Sequence, residues 1–536
     1  MHKYILIILY IFILKICPAQ SWIRIYGDSS NTFCYQLQEH YDKGYLMLGK
    51  RYRPGANEFG WLMKTDVNGF ERWHKMYGDA TRRSPLFGID KTDDGGVIVI
   101  GQTNIGSLYW QAHVIKINAC GDKEWCRIYQ TPGRSVYGLD IQSMPGGGSI
   151  AFVGNWGYDL TKTNWLLRLD DNGNIMWQQA YAYDSIYYDP EGWRLFKTHD
   201  TNFLITGYVY APDSGQVNPY EMRPLIIKVK PDGTQIFQLA WGTNIGFRGG
   251  GFISIDDNQS NVFTGAQSKF YSPFYTGPCL IKTSQTGVPL SYNNLVDSAL
   301  IGGATTINWF QDSTLVMGLI WRIELYNADT FNIGVIKTDR FGNQIKYKPL
   351  IYGGLEQFND AKTTYNNKLI IVNSDYYSNN WIVQAFKINS ELDYDSIYTT
   401  PFTYDSLCPH PIITDTIPLN DCGFVVVGVD DQNKNYAKTQ LHIYPNPVKN
   451  IVTIEMPQYL IRKSSGYGVT ATTYYHQWNT TTLEIFDLFG KLMSSKEIPK
   501  KTEKVELDVS SWHAGMYVAR VVFMNEVVAG AKFVVE

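Results

Sequence analysis

The sequence predicts an all-β chain: a long array of repeated strands, then a small separate β domain. Three observations carry this: the composition, a repeat of about 52 residues, and a change of pattern after residue 430. Of the 536 residues, 15 % are aromatic, 18 % are charged and 47 are Gly. Richness in Tyr, Trp and Gly with few strong helix formers favours strands. Lys+Arg 47 against Asp+Glu 50 leaves a formal net charge of −3. A phosphate-binding surface needs a basic excess, so nucleic acid is not the expected partner.

The N-terminus sets the compartment. Met1-His2-Lys3 is a short basic start, Tyr4 to Leu14 is apolar, and small residues precede the bond between Ala19 and Gln20. This is the layout of a secretory signal peptide spanning 1–19. Eleven apolar residues followed by Lys15 are too few to cross ~30 Å of hydrocarbon, so no transmembrane helix is expected in the mature chain. Cleavage leaves Cys34, Cys120, Cys126, Cys279, Cys408 and Cys422. Close pairs in an exported protein are disulfide candidates. Cys408 and Cys422 flank one strand-like segment, and Cys120 and Cys126 straddle one hairpin turn. For the second pair, buried free thiols are the alternative. Cys34 and Cys279 read as buried and inert.

Between residues 20 and 430 one unit recurs: an apolar strand ending in Lys or Arg, a turn ending in Gly, then another strand. Trp61-Leu62-Met63-Lys64 leads through Asp66 and Gly69 to Trp73, His113-Val114-Ile115-Lys116 through Gly121 to Trp125, and Trp165 to Arg168 through Gly173 to Trp177. Weaker copies carry Lys228, Lys282, Lys337 and Lys387. The basic positions are spaced 52, 52, 60, 54, 55 and 50. Upstream in each unit an apolar run reaches Gly, as in Gly96 to Gly101 and Phe203 to Gly207. Such unbroken runs predict strands covered on both faces, whereas the Lys-bearing strands read as half-exposed. Asn-Gly and Asp-Gly supply the positive φ that tight hairpins need. Four strands in about 50 residues make one propeller blade, so the array reads as a β-propeller of seven to eight four-stranded blades.

Trp22 to Gly27 copies the outer strand Trp73 to Gly78, yet no blade precedes it. At the far end, Ile412 to Leu419 and Gly423 to Gly428 resemble the first two strands of a blade. The expected closure is therefore a last blade completed by the N-terminal strand, which removes free edges. Asp66, Gly69 and Trp73 resemble the tryptophan-docking repeat of quinoprotein-like propellers, one residue tighter, and the region is similarly kelch-like. The aromatic falls four residues after Gly, which does not fit the sialidase Asp-box. The resemblance implies a fold and transfers no activity.

After a polar linker, 431–440, the pattern becomes strictly alternating strands over 441–536, as in a small immunoglobulin-like β-sandwich with one wet face. It opens on Tyr444-Pro445-Asn446-Pro447. Asp487 to Gly490-Lys491, Gly515-Met516-Tyr517 and the terminal Lys532-Phe533-Val534-Val535 follow in order. These motifs resemble the type A C-terminal sorting domain (the Por secretion tail family) of the type IX secretion system. The resemblance implies export, passage through a Gram-negative outer membrane, and surface attachment or release. It also implies the secretion machinery and its sortase as partners. Gln458 to Thr481 is an insertion expected to loop out.

No catalytic constellation emerges. The nine His show neither His-x-His nor His-Glu-x-x-His spacing and there is no Cys-x-x-Cys, so no metal or other cofactor is expected. Asp93-Asp94-Gly95-Gly96 and Asp170-Asp171-Asn172-Gly173 read as turn chemistry before Ca²⁺ ligation. Tyr187, Tyr188, Trp193, Tyr271, Tyr275, Tyr376 and Tyr377 are candidate aromatic contacts. The resulting expectation is a secreted, surface-attached binding or adhesion module, with an unknown glycan or protein ligand at the propeller mouth. An enzyme on polysaccharide or glycoconjugate and a structural surface-layer component are the alternatives.

Overall fold

The structure is a computed structural model of the chain. It describes residues 21–27, 30–52, 57–79, 82–104, 109–131, 134–157, 162–181, 188–212, 220–242, 249–257, 259–268, 277–296, 301–322, 331–354, 357–377, 380–427, 439–456, 481–487, 491–499, 502–523 and 526–536. Two compact units, Met1–Val427 and Gly428–Glu536, divide it. Among the described residues every regular element is a strand, and no helix is long and apolar enough to cross a membrane.

In the first unit, seven sheets follow one another among the described residues. Blade 1 runs outward through Thr32–Glu39, Tyr45–Tyr52, Glu58–Thr65 and Glu71–Tyr77, and blades 2 to 6 repeat the plan. The innermost strands touch in cyclic order, and that of blade 7, Gln357–Thr363, meets that of blade 1. Blade 7 supplies three strands of its own, and Ile23–Tyr26 pairs with Asn380–Ile388 as the fourth. The N-terminal strand therefore closes the last blade.

The far end behaves differently from the expected pair of blade strands. Asp415–Ile417 adds in parallel to the outer strand of blade 1, and Gly423–Val426 adds in parallel to Lys123–Gln130, the outer strand of blade 2. Residues 396–427 are thus a strap over two blade edges, not part of an eighth blade. An outer edge offers unpaired amides and carbonyls, and the strap satisfies them. Its staples also correct the expected disulfides. Cys120 joins Cys408 and Cys126 joins Cys422, in place of the local pairs Cys120–Cys126 and Cys408–Cys422. Cys34 and Cys279 are buried free thiols.

The repeat's residues have distinct structural duties. At Asp66, Asn118, Asp170, Asp339 and Asn389 a side-chain oxygen accepts amides two and four residues on, the short-range bonding that makes Asp and Asn turn residues. Gly69 follows with φ 77°, and a Cβ there would meet the Trp22 ring at 2.6 Å. Trp73 lies likewise against Gly121, Trp125 against Gly173 and Trp177 against Gly233. The Tyr four residues after each Trp completes the grip, as Tyr77, Tyr129 and Tyr181 donate to the same Gly carbonyls at 2.7 Å. Each outer strand therefore clasps the next blade's hairpin. Trp22 and Tyr26 apply that clasp from blade 7 to blade 1, because Tyr26 donates to the Gly69 carbonyl.

The Lys-bearing strands depart from the half-exposed reading. All eight residues of Glu58–Thr65 are buried, and Lys64 is 0 % exposed. Its ammonium reaches Asp42 at 2.7 Å, in the turn that joins the first two strands. Lys116–Asp94, Lys228–Asp200 and Lys337–Asp312 repeat the pair at 2.6–2.8 Å. A buried ammonium demands a counter-charge, and the turn aspartate supplies it.

The second unit has a sheet built on Thr481–Asp487, Leu492–Ile498, Gly515–Phe523, Glu526–Val535 and Thr439–Gln440. A three-stranded sheet of His442–Tyr444, Ile451–Glu455 and Lys504–Asp508 accompanies it. Val452 and Ile454 of the smaller sheet share one buried core with Ile485, Ala519, Val521 and Phe533 of the larger. The unit is a two-sheet sandwich.

Candidate functional site

Every inner strand of the ring carries a β-bulge at the same place. The shifts fall at Tyr35, Phe87, Leu139, Trp193, Phe252, Thr305 and Asn359. A bulge leaves one residue out of the ladder and re-aims its side chain. All seven bulged residues are half-buried. The apolar runs end on Gly because the bulged strand approaches there: a Cβ on Gly49 would lie 1.8 Å from the Phe33 carbonyl, and one on Gly207 1.9 Å from that of Glu191.

The bulges gather aromatic side chains in two arcs. Phe33 packs against Trp381 with ring centroids 4.7 Å apart, Trp381 against Tyr376 at 5.5 Å, and Tyr35 against Phe87 at 5.0 Å. Lys50 stands 4.9 Å over the Phe33 ring while paired to Glu58 at 3.0 Å. Tyr52 also donates to Glu58, and burial together with that bond pushes its phenol up to about 12. In the second arc Trp193 packs on Phe252 at 5.0 Å and Tyr208 at 5.3 Å. The Trp193 indole N–H and the Tyr208 hydroxyl both donate to Glu191.

The residues that follow the bulges make a polar throat. Arg194 reaches from blade 4 across the channel and donates to the carbonyls of Tyr35 at 3.1 Å and Asn359 at 3.3 Å. Gln36 of blade 1 donates to Asp140 of blade 3 at 3.0 Å. Asp140 also accepts the Leu195 and Ile141 amides, both at 2.9 Å. Asp360 accepts the Leu37 amide at 3.0 Å, and Asp90 accepts the amide and hydroxyl of Ser143. Burial raises the Asp140 carboxyl above its ordinary range, against the opposing charge of Arg194. A cavity of about 210 Å³ within the channel is lined by these groups together with Gln38, Gln142 and Lys362.

Of the aromatics expected at the mouth, Trp193 stands in the second arc and Tyr376, 39 % exposed, in the first. Tyr187, Tyr271 and Tyr275 lie outside the described residues, as do the side chains of Tyr188 and Tyr377. Sequence reasoning missed Tyr35, Phe87, Phe252, Asp140 and Arg194. A signal existed: the bulged positions recur at intervals of 52, 52, 54, 59, 53 and 54 residues, close to the period of the lysines. Of the acidic turns, Asp94 pairs with Lys116, and Asp170 accepts the amides of Asn172 and Asn174. Among the described residues two clusters have metal-capable atoms, Cys120, Cys408 and His410, and Cys126, Asp421 and Cys422. Both contain a disulfide, which removes the thiolates a metal would use.

In the second unit the structure brings the opening and closing motifs together. Asn446, between Pro445 and Pro447, accepts the Val534 amide at 2.9 Å, and the Val448 amide donates to the Val534 carbonyl at 2.8 Å. Phe533 pairs in register with Tyr517, Lys532 with Val518, and Val535 with Gly515. Asp487 accepts the Lys491 amide at 2.9 Å. Gly490, Ala19 and Gln20 lie outside the described residues.

Residues 442–536 match the family described as the secretion system C-terminal sorting domain. The first unit is a β-propeller by its strand order, so the chain is a propeller protein carrying a type IX sorting tail. That tail implies interaction with the secretion machinery, and export to the cell surface or the extracellular medium. No curated protein matches the chain. Solved structures similar to it include an ulvan lyase of polysaccharide lyase family PL25, 8 % identical with TM-score 0.44, covering 69 % of this chain and 96 % of its own. The β-propeller domain of the Trilobed protease from Pyrococcus furiosus is 10 % identical with TM-score 0.40, covering 69 % and 100 %. A Dyadobacter fermentans protein of unknown function is 9 % identical with TM-score 0.39, covering 68 % and 98 %. The fold assignment rests on the strand order and not on these likenesses.

Proposed function

We propose that the propeller is an extracellular binding module, adhesive in role, that takes a glycan at the channel mouth. The observation that supports this most is the sevenfold bulge ring, which presents two aromatic arcs over a throat crossed by Arg194. Flat aromatic faces stack on sugar rings. The charged groups beside them are already paired, Lys50 with Glu58 and Arg194 with backbone carbonyls, which favours a neutral polyhydroxylated ligand. The carboxylates in the throat accept backbone amides, and this supports binding over hydrolysis, which needs carboxylates at liberty to move protons. A second reading, an enzyme on polysaccharide, draws on the raised carboxyl of Asp140 beside Arg194.

A glycan array probed with the full secreted chain, with reducing-end release assayed on every hit, tests both. Saturable binding without product supports the module, new reducing ends support the enzyme, and silence on all glycans refutes both. We also propose cleavage between Ala19 and Gln20, a propeller over 20–430, a linker at 431–440 and a sorting domain at 441–536. In that domain Pro445, Asn446, Pro447, Gly490, Gly515, Tyr517 and Lys532 to Val535 are the proposed sorting determinants, read by the machinery and its sortase. Amino-terminal sequencing of the exported protein tests the cleavage.

A further inference from the structure

Lys387, the basic residue of blade 7, departs from its counterparts in blades 1, 2, 4 and 6. Those reach an aspartate in the turn between the first two strands of their own blade at 2.6–2.8 Å. In blade 7 that turn carries Asn366. The register is secure, because the Thr364 hydroxyl donates to Asn366 as Thr92 does to Asp94 and Thr198 to Asp200. Asn366 donates its own side-chain N–H to the Tyr398 hydroxyl. Lys387 is fully buried, and among the described residues its ammonium has no hydrogen-bond partner.

The group that faces it is Asp395. The two residues are neighbours through the backbone, since the Asp395 amide donates to the Lys387 carbonyl at 2.8 Å. The Asp395 carboxylate, itself buried, lies 3.7 Å from Lys387 Nζ, beyond hydrogen-bonding length. The Tyr398 hydroxyl donates to the same carboxylate oxygen at 2.9 Å, and Lys368 stands 3.6 Å from the other. Aromatic rings flank the ammonium, with the Tyr398 centroid 4.3 Å and the Tyr45 centroid 5.5 Å away. Burial holds the Lys387 pKa down to about 8, against the opposing effect of the Asp395 and Glu39 carboxylates.

Glu39, on the inner strand of blade 1, brings a second carboxyl group to the place. It and Asp395 both act on the phenols of Tyr45 and Tyr365, which sets them around one centre. One Glu39 oxygen accepts the Tyr365 amide at 2.9 Å, and the other is buried without a partner among the described residues. Burial raises this carboxyl above its ordinary range, against the charges of Lys43, Lys91 and Lys387, and so favours the protonated acid.

We infer that Lys387 and Asp395 join in an intramolecular isopeptide bond, with Glu39 as the acid–base group. An amine removed from water, a carboxyl group held beside it and a neutral acid are the components that amide formation requires. The Lys387 ammonium passes one proton to the Asp395 carboxylate, and the freed Nζ bonds to Cγ. Glu39 protonates the departing hydroxyl and takes a proton back from the nitrogen as the Cγ–O bond breaks. The net change is loss of one water, its two hydrogens drawn from the ammonium, with no oxidant or cofactor. The Tyr398 hydroxyl polarises the carboxyl group through its hydrogen bond. The bond clamps the ring where it closes: the Trp22 amide donates to the Asp395 carbonyl at 2.8 Å, and the Lys387 amide donates to the Trp22 carbonyl at 3.2 Å. The N-terminal strand is thus held by both bonded residues.

The test is tryptic mapping by mass spectrometry of the full chain, reduced and alkylated. An unmodified Lys387 is cut by trypsin and yields segments 369–387 and 388–434 as two peptides. The expected result is a single peptide spanning both, lighter by one water. Lys387→Met removes the nucleophile and Glu39→Gln the proton relay, so both variants should keep the full mass. Glu39→Gln is nearly isosteric, and its cooperative unfolding shows that it folds. Two wild-type peptides of full mass overturn the inference. A water deficit that persists in Lys387→Met overturns it too, because that marks a succinimide at Asp395-Ser396. A bond formed undiminished in Glu39→Gln overturns the part given to Glu39.

Discussion

The two disulfides are coupled through the loops they close, and their removal discriminates between possible pairings. They span 288 and 296 residues, so either one alone restrains the unfolded chain by about 5–6 kcal/mol in the loop-entropy account. Once Cys120–Cys408 exists, Cys126–Cys422 closes only a ring of about 20 residues, worth about 3 kcal/mol. Replacing either pair by Ser is therefore expected to cost about 3 kcal/mol, but replacing both about 9. The local pairs, Cys120 with Cys126 and Cys408 with Cys422, would close short independent loops costing about 2 and 3 kcal/mol and summing to about 5. Under the local pairing each double-Ser variant, Cys120 with Cys408 or Cys126 with Cys422, would break both bridges and cost about 5 kcal/mol, the same as the quadruple variant, whereas the crossed pairing gives about 3 and then about 9. Guanidinium unfolding of the two double-Ser variants and the quadruple variant, followed by Trp fluorescence, completes the cycle. A quadruple variant no less stable than either double-Ser variant would refute the crossed pairing.

Four further outcomes are expected. Asp42→Asn strands the buried Lys64 and should cost about 3–5 kcal/mol, whereas Asp94→Asn, at a half-exposed pair, should cost about 1 or less by chemical denaturation; equal costs would refute the burial argument. His113 is 1 % exposed, neither ring nitrogen meets a partner, and burial holds its pKa down at about 3. The unfolded state takes up a proton near pH 6.5 and the folded state does not, so up to about 5 kcal/mol should be lost as pH falls from 6.5 to 3. His113→Leu should flatten that part of the stability–pH curve. Trp193→Ala should weaken glycan binding about tenfold in a variant that still unfolds cooperatively, by removing one stacking face. Deleting Lys532 to Glu536 should stop surface delivery in cell fractionation, and unchanged delivery would sink the sorting assignment.

Much of the fold was legible because its determinants are local and periodic. Each hairpin needs Asp or Asn and then Gly within four residues, and each clasp needs Trp and Tyr four apart, so the pattern survives in one dimension. Trp22 to Gly27 was recognisable as a blade's outer strand for that reason. The sorting tail was legible through ordered motifs at short spacing. The lysines were visible as a period but misread as solvent-facing, since their counter-charges lie 22 residues upstream at Asp42 and Asp94 and 28 at Asp200. The candidate site was legible only in part: Trp193 and Tyr376 stood out as aromatics, but the bulges that aim the ring are register shifts between two strands.

By itself the sequence determined the repeat, the closure by the N-terminal strand, and the address carried by the tail, because these are written in neighbouring residues. Tertiary structure decided the cysteine pairing, the conversion of residues 396–427 into a strap and the throat crossed by Arg194. The physical reason is common to all three. Each depends on which distant backbones come within hydrogen-bonding or disulfide reach, and ring closure brings residues nearly 300 positions apart within 5.0 Å.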